Sequence, residues 1–207
     1  MEKVEAFFNI AGINDRTTIV KIRYALETIK NEGIKIIILF ILFALFDKQF
    51  EFILAAALLI PIRVFSGGMH MNTNLGCFLY SLIFFILSIF LLPELNLSLV
   101  THIYILIISV SVMAILSPIP SYKRPFKTVA RRILMKKLTL IVLAIVCVAL
   151  ILIWYFADSI NFSIGTWVVA LQSIQLITIW VYRKKKGEKN VRKDQEVEAI
   201  AGRDSSD

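Results

Sequence analysis

A chain of 207 residues that is 58% hydrophobic and only 18% charged is not an ordinary water-soluble domain, which runs at about 45–50% apolar and about 25% charged. Fifteen phenylalanines and long Ile/Leu/Val runs exclude disorder, and two cysteines cannot build a disulfide framework. An excess of 23 Lys+Arg over 15 Asp+Glu, net +8, at a mean hydropathy of +0.77, points to topology and anionic lipid rather than to nucleic acid. The fold class that follows is an all-α polytopic membrane bundle.

Residues 1–33 are mixed in charge and lack the basic start and apolar core of a secretory signal. Ile19, Ile22, Leu26 and Ile29 recur there at helical spacing, opposite Lys21, Glu27 and Lys30. An amphipathic helix on the inner membrane face fits this pattern, and so does a packed cytoplasmic helix that anchors the first span. Residues 34–182 hold the membrane domain. A spanning helix takes roughly 20 apolar residues, and Gly76–Leu92, Leu99–Ser117, Leu138–Phe156 and Ile164–Tyr182 meet that length or approach it. Trp167 and Trp180 flank the last of these as interfacial aromatics do. Ile34–Phe46 and Phe50–Phe65, parted by Asp47-Lys48-Gln49, read as two further short spans, with a shallow hairpin as the alternative. About six spans are therefore expected. Residues 183–207 open on Arg183-Lys184-Lys185-Lys186, continue with mixed charge and read as a disordered cytoplasmic tail.

Six spans put residues 1–33, 66–75, 118–137 and 183–207 on one side. Pro118–Lys137 alone carries Lys123, Arg124, Lys127, Arg131, Arg132, Lys136 and Lys137, with no acid. The opposite connections hold Asp47, Lys48, Glu94 and Asp158. The positive-inside rule makes the basic side cytoplasmic, with both termini there.

Chemistry concentrates in Arg63–Cys77, which contains one of two histidines and one of two cysteines. A thiol nucleophile needs a base, and imidazole is the usual one near neutral pH. Cys77 opens an apolar helix, whose N-terminal field favours the thiolate. On an unbroken helix His70 and Cys77 would be roughly 10.5 Å apart along the axis, too far for a hydrogen bond. The chain is therefore expected to fold back between them, where Asn72, Thr73, Asn74 and Gly76 permit turns. Gly67-Gly68 gives room for close backbone approach, and Arg63 is placed to orient a substrate carbonyl or carboxylate. Each residue taken singly also has a bland reading: Gly-Gly as a turn, Arg63 as a side chain that snorkels to the interface, Cys77 as small apolar filler. Cys147, inside the least polar span, reads as such filler, and His102 as a solvated residue at the outer boundary. No metal is expected, because one His and one Cys make half a ligand set, and no organic cofactor motif is present.

The pattern Arg-x-x-x-Gly-Gly-x-His-x6-Cys, in a chain of this size with a basic loop between its fourth and fifth spans, resembles the accessory gene regulator B (AgrB) family. More loosely, so does Ser117-Pro118-Ile119-Pro120 at the entrance to that loop. Members are membrane cysteine endopeptidases of Gram-positive bacteria that process the precursor of a quorum-sensing peptide. The resemblance implies that Cys77 is the nucleophile and His70 its catalytic partner, with Arg63, Gly67 and Gly68 in support. It implies a Cys thioester intermediate, resolved by a nucleophile within the peptide to give a cyclic autoinducer. Family precursors pair an amphipathic leader with an acidic tail. Lys123, Arg124 and Lys127 are then candidates to receive that tail, although topology and anionic lipid account for the same charges. The expected partners are this propeptide and membrane lipids, not nucleic acid, and a homodimer stays open. Two other classes compete. A small transporter or permease would line a path with ionisable residues, where the long spans offer only Gln172 and Gln175. A non-enzymatic membrane signalling partner would leave Cys77 dispensable.

Overall fold

A computed structural model describes residues 16–68, 73–119 and 128–204, and there they form six α-helices with no strand. Two compact units are distinguished, Met1–Gln49 and Phe50–Asp207.

The first unit is built on α1 (Arg16–Ala44). The amphipathic segment and the first apolar segment expected from sequence are one continuous helix, with no break at Gly33, around which a Cβ would meet nothing within 4 Å. Leu26 and Ile29 are exposed. The helix stops where Asp47 adopts the left-handed conformation (φ 55°) and the Lys48 N–H closes back on the Phe43 carbonyl at 2.9 Å. Its apolar half, Ile34–Ala44, rises about 16 Å, against a hydrocarbon core of roughly 30 Å.

Among the described residues five helices are long and apolar enough to cross a bilayer: Gln49–Ser66, Asn74–Leu95, Leu99–Leu116, Val129–Phe156 and Ser159–Lys185. The all-α membrane bundle stands. Of the six expected spans, Ile34–Phe46 is the one that falls short of this length. We label the second to sixth helices α2 (Gln49–Ser66), α3 (Asn74–Ile86), α4 (Leu99–Leu116), α5 (Val129–Phe156) and α6 (Ser159–Asp204). The α3 span is extended by a π-helical turn, Leu87–Leu91, and a 3₁₀ turn, Pro93–Leu95. Asn96 in the left-handed region then reverses the chain, and Ser98 caps α4 through the Thr101 N–H.

Helix α6 is the hub. Its spanning window is 61% buried, against 17–39% for the other four. Lipid gives no hydrophobic drive for helix association, so close packing depends on small residues. Ser163, Thr166, Ala170 and Ser173 recur at helical spacing on α6 and are all buried. The Thr166 and Ser173 hydroxyls donate to carbonyls of their own helix, which settles their polar atoms without an outside partner. At Gly165 an added Cβ would collide with Leu150 of α5 and lie 3.1 Å from Leu58 of α2. Helix α4 packs most extensively on α6, and the π-turn and α5 also contact it. Helices α2 and α6 run parallel, since Leu58 lies against Gly165 and Gly67 against Gln172 further along both.

Three local expectations change. The basic connection is shorter than Pro118–Lys137, because Thr128 caps α5 through the Arg131 N–H and the helix starts at Val129. The backbone stays helical to Asp204, through the tail that composition reads as disordered. Lys, Glu, Arg and Gln there are good helix formers, and propagation from a formed span needs no new nucleus. His102 is not solvated: it is buried, with Nδ1 at 3.1 Å from the Ser98 carbonyl, Nε2 at 3.0 Å from Ser163 Oγ, and its ring beside Phe162. Its first-turn position on α4 faces the hub rather than water, a choice made by helix rotation.

Candidate active site

The segment that carries the chemistry is the exit of α2 and the entrance of α3. Helix α2 ends at Ser66, and Gly67 follows in the left-handed region at φ 92°. Only glycine is at ease there. A Cβ on Gly67 would also run into the Ile119 carbonyl. The Ile119 N–H donates to the Ser66 carbonyl at 3.0 Å, so Ser117–Ile119, buried at the exit of α4, is strapped to this turn. From the other side the Gln172 amide, fully buried on α6, donates to the Gly67 carbonyl at 3.0 Å. The Gly67 N–H bonds the Arg63 carbonyl at 3.1 Å. Three segments distant in sequence thus meet at Ser66–Gly67.

Gly68 has a different reason to be glycine. A Cβ there would sit 2.9 Å from Arg63 Nε and 3.0 Å from its Cγ, so the arginine side chain lies across the Gly68 backbone. Cys77 stands one helix further on, in α3.

Cys77 is buried in the first turn of α3. Thr73 caps that helix: its Oγ1 accepts from the Gly76 N–H at 3.1 Å and its carbonyl from the Cys77 N–H at 3.1 Å. Asn74 and Gly76 are consequently helical rather than part of a turn. The two cysteines are not bridged to each other. Cys147 is half-buried on α5. His70 lies outside the described residues, as do Lys123, Arg124 and Lys127. Of the expected site residues, Arg63, Gly67, Gly68 and Cys77 are described; Arg63, Gly67 and Gly68 meet at the exit of α2, and Cys77 lies in the first turn of α3. Among the described residues no group of three or more His, Cys, Asp or Glu could hold a metal.

One cation of the basic stretch has a structural task. Lys136 of α5 points its ammonium at the end of α4, donating to the carbonyls of Ala114, Ile115 (3.2 Å) and Ser117 (2.8 Å). These are carbonyls a helix C-terminus leaves without an internal partner, and a cation is favoured there by the helix dipole.

Taken together, fold and site define a multi-pass helical membrane protein with a buried cysteine at the start of one span and, at the end of the span before it, a glycine turn crossed by an arginine. Over residues 5–176 the chain matches the family described as Accessory gene regulator B. It belongs to that family. It is 36% identical over 118 residues to an AgrB-like protein of Clostridium beijerinckii, a match covering 54% of this chain and 57% of that relative. The match thus spans little more than half of that relative's length. No solved structure matches the chain.

Proposed function

We propose that this chain is a membrane-embedded cysteine endopeptidase that cleaves a short propeptide and, through a thioester on Cys77, helps to form a cyclic autoinducing peptide for quorum sensing. The observation that carries the reading is the position of Cys77, buried in the first turn of a capped helix that follows the Arg63–Gly68 turn in the chain. Family membership over residues 5–176 supports the same role.

In this mechanism His70 takes the proton of the Cys77 thiol, and the thiolate attacks a backbone carbonyl carbon of the precursor. The C–N bond breaks, His70 returns the proton to the departing amine, and an S-acyl enzyme remains. A thiol or hydroxyl within the same peptide then attacks the thioester carbonyl, which closes the ring and releases Cys77. A nucleophile tethered in one chain acts at high effective concentration and outruns water at a partly dry site. The burial of Cys77 favours that dryness. Arg63 holds the carbonyl side of the substrate, and Lys123, Arg124 and Lys127 attract its acidic tail. Both termini and the Arg63–Cys77 segment face the cytoplasm, on the charge distribution.

The test is cleavage of a synthetic precursor, encoded beside the gene, with an amphipathic leader and an acidic tail. In proteoliposomes Cys77→Ala and His70→Ala should abolish cleavage while insertion stays normal, and Cys147→Ala should keep it. Mass spectrometry should find a hydroxylamine-labile fragment on Cys77. An active Cys77→Ala chain would end the peptidase reading.

A further inference from the structure

Buried polar side-chain atoms nearly always have hydrogen-bond partners, so those that lack one ask for an explanation. Among the described residues six such atoms have none, and four of them belong to Ser117, Gln172 and Gln175. These three residues are 4%, 0% and 2% exposed. They are not scattered. Gln172 donates through Nε2 to the Gly67 carbonyl at 3.0 Å, which leaves its Oε1 without a partner. Ser117 lies two residues before Ile119, whose N–H is bound to Ser66, and its Oγ is likewise without a partner. Gln175 follows Gln172 by three residues, on the same face and about 4.5 Å further along α6. Because α2 and α6 run parallel, that step continues beyond the bond to Gly67, toward the side of the bundle on which α2 ends. Both polar atoms of Gln175 are without partners.

We propose that Gln175, flanked by Gln172 Oε1 and Ser117 Oγ, is a subsite that binds the main chain of the peptide substrate. A carboxamide has the hydrogen-bonding pattern of a peptide group: Oε1 accepts an N–H, and Nε2 donates to a C=O. It can therefore pair with one peptide unit of an extended strand without reading the side chain. Being neutral, it is far cheaper to keep in a dry bundle between turnovers than a charged group would be. Its bonds are also stronger there than in water. The subsite lies one helical step from the bond between Gln172 and Gly67, on the side of the bundle where α2 ends and α3 begins, so a strand held there approaches the segment that carries Arg63 and Cys77. This inference rests on the peptidase reading.

The experiment begins with Cys77-dependent cleavage of the synthetic precursor by the full chain in proteoliposomes. Absence of that cleavage removes the peptidase reading, and this inference with it. Once it is established, Gln175→Leu should raise KM about tenfold, the loss of roughly 1.4 kcal/mol of binding, and leave kcat within about threefold. The same variant should melt no lower than the parent in detergent, because it removes two buried atoms that have no partner. Gln175→Met, nearer in shape, should behave alike. A precursor with one amide replaced by an ester next to the scissile bond should bind about tenfold worse to the parent. It should lose little more on Gln175→Leu, because a shared contact makes the two changes non-additive. A parent-like KM in both variants overturns the subsite and assigns the unpartnered atoms to a bound water. Melting point and activity that fall together overturn it in favour of a structural glutamine. Equal ester penalties in parent and variant at every position tested overturn the main-chain contact.

Discussion

Gln172 on α6 donates its side-chain amide to the carbonyl of Gly67, 3.0 Å away and 105 residues earlier in the chain. Gln172 is fully buried, and Gly67 is half-buried. It fixes the carbonyl that precedes Gly68, and hence the backbone across which Arg63 lies. The hub helix thereby sets the shape of a turn formed by two other helices. The Ile119 N–H bond to Ser66 acts on the same turn from the opposite side. A glutamine that composition alone offers as a weak sign of a transport path is instead tied to the site-bearing turn.

Gly67 and Gly68 should respond differently to the same change. Gly67→Ala must place a Cβ at φ 92° and into the Ile119 carbonyl. It should cost about 1–3 kcal/mol for the backbone alone, read as a lower melting temperature in detergent. The three atoms nearest to a Cβ on Gly68 all belong to the Arg63 side chain, which can shift more readily than a backbone carbonyl. Stability there should change by less than about 0.5 kcal/mol, while precursor cleavage falls because Arg63 is displaced. Equal melting temperatures for the two variants would contradict this assignment.

Lys136 and Lys137 make a second contrasting pair. Lys136→Met removes charged donors from the last carbonyls of α4 and should cost about 1.5–3 kcal/mol. Lys137 is exposed, and Lys137→Met should stay within about 0.5 kcal/mol of the parent. Thermal unfolding of both variants checks the difference. The result also separates the cation that holds the bundle from those left to meet lipid or substrate.

His102 should matter to the fold. His102→Leu loses both ring hydrogen bonds and leaves the buried Ser163 hydroxyl without this partner. A loss of about 2–3 kcal/mol is expected. Ser163→Ala, which removes one of the two contacts, should cost about 1 kcal/mol. A melting temperature for His102→Leu within error of the parent would return the residue to a solvated surface role.

Orientation can be read by thiol labelling in a background carrying Cys77→Ala and Cys147→Ala. An impermeant reagent on intact cells should modify Glu94→Cys and Ser159→Cys, both exposed at the ends of spans. It should spare the exposed Thr73→Cys until the membrane is permeabilised. Ready labelling at position 73 in intact cells would reverse the topology drawn from the Lys/Arg distribution.

What the sequence determined by itself was the class of protein, the apolar segments that cross the membrane, the side on which its cations gather, and the stretch Arg63–Cys77 as the place of interest. Those features are local: apolar length, charge counts and residue types within fifteen positions are written in the order of the chain. What the tertiary structure decided was every partnership across it. Thr73 as a cap was visible as a turn former, but the helical place of Asn74 and Gly76 follows only once α3 is formed. That His102 faces Ser163, that Lys136 closes α4, and that Gln172 holds Gly67 all depend on the rotation and register of packed helices. In lipid the hydrophobic pattern runs around nearly the whole helix and does not mark the inward face. The inward face is set instead by small residues such as Gly165 and by a few buried polar groups, and those acquire a role only when the partner helix is in contact.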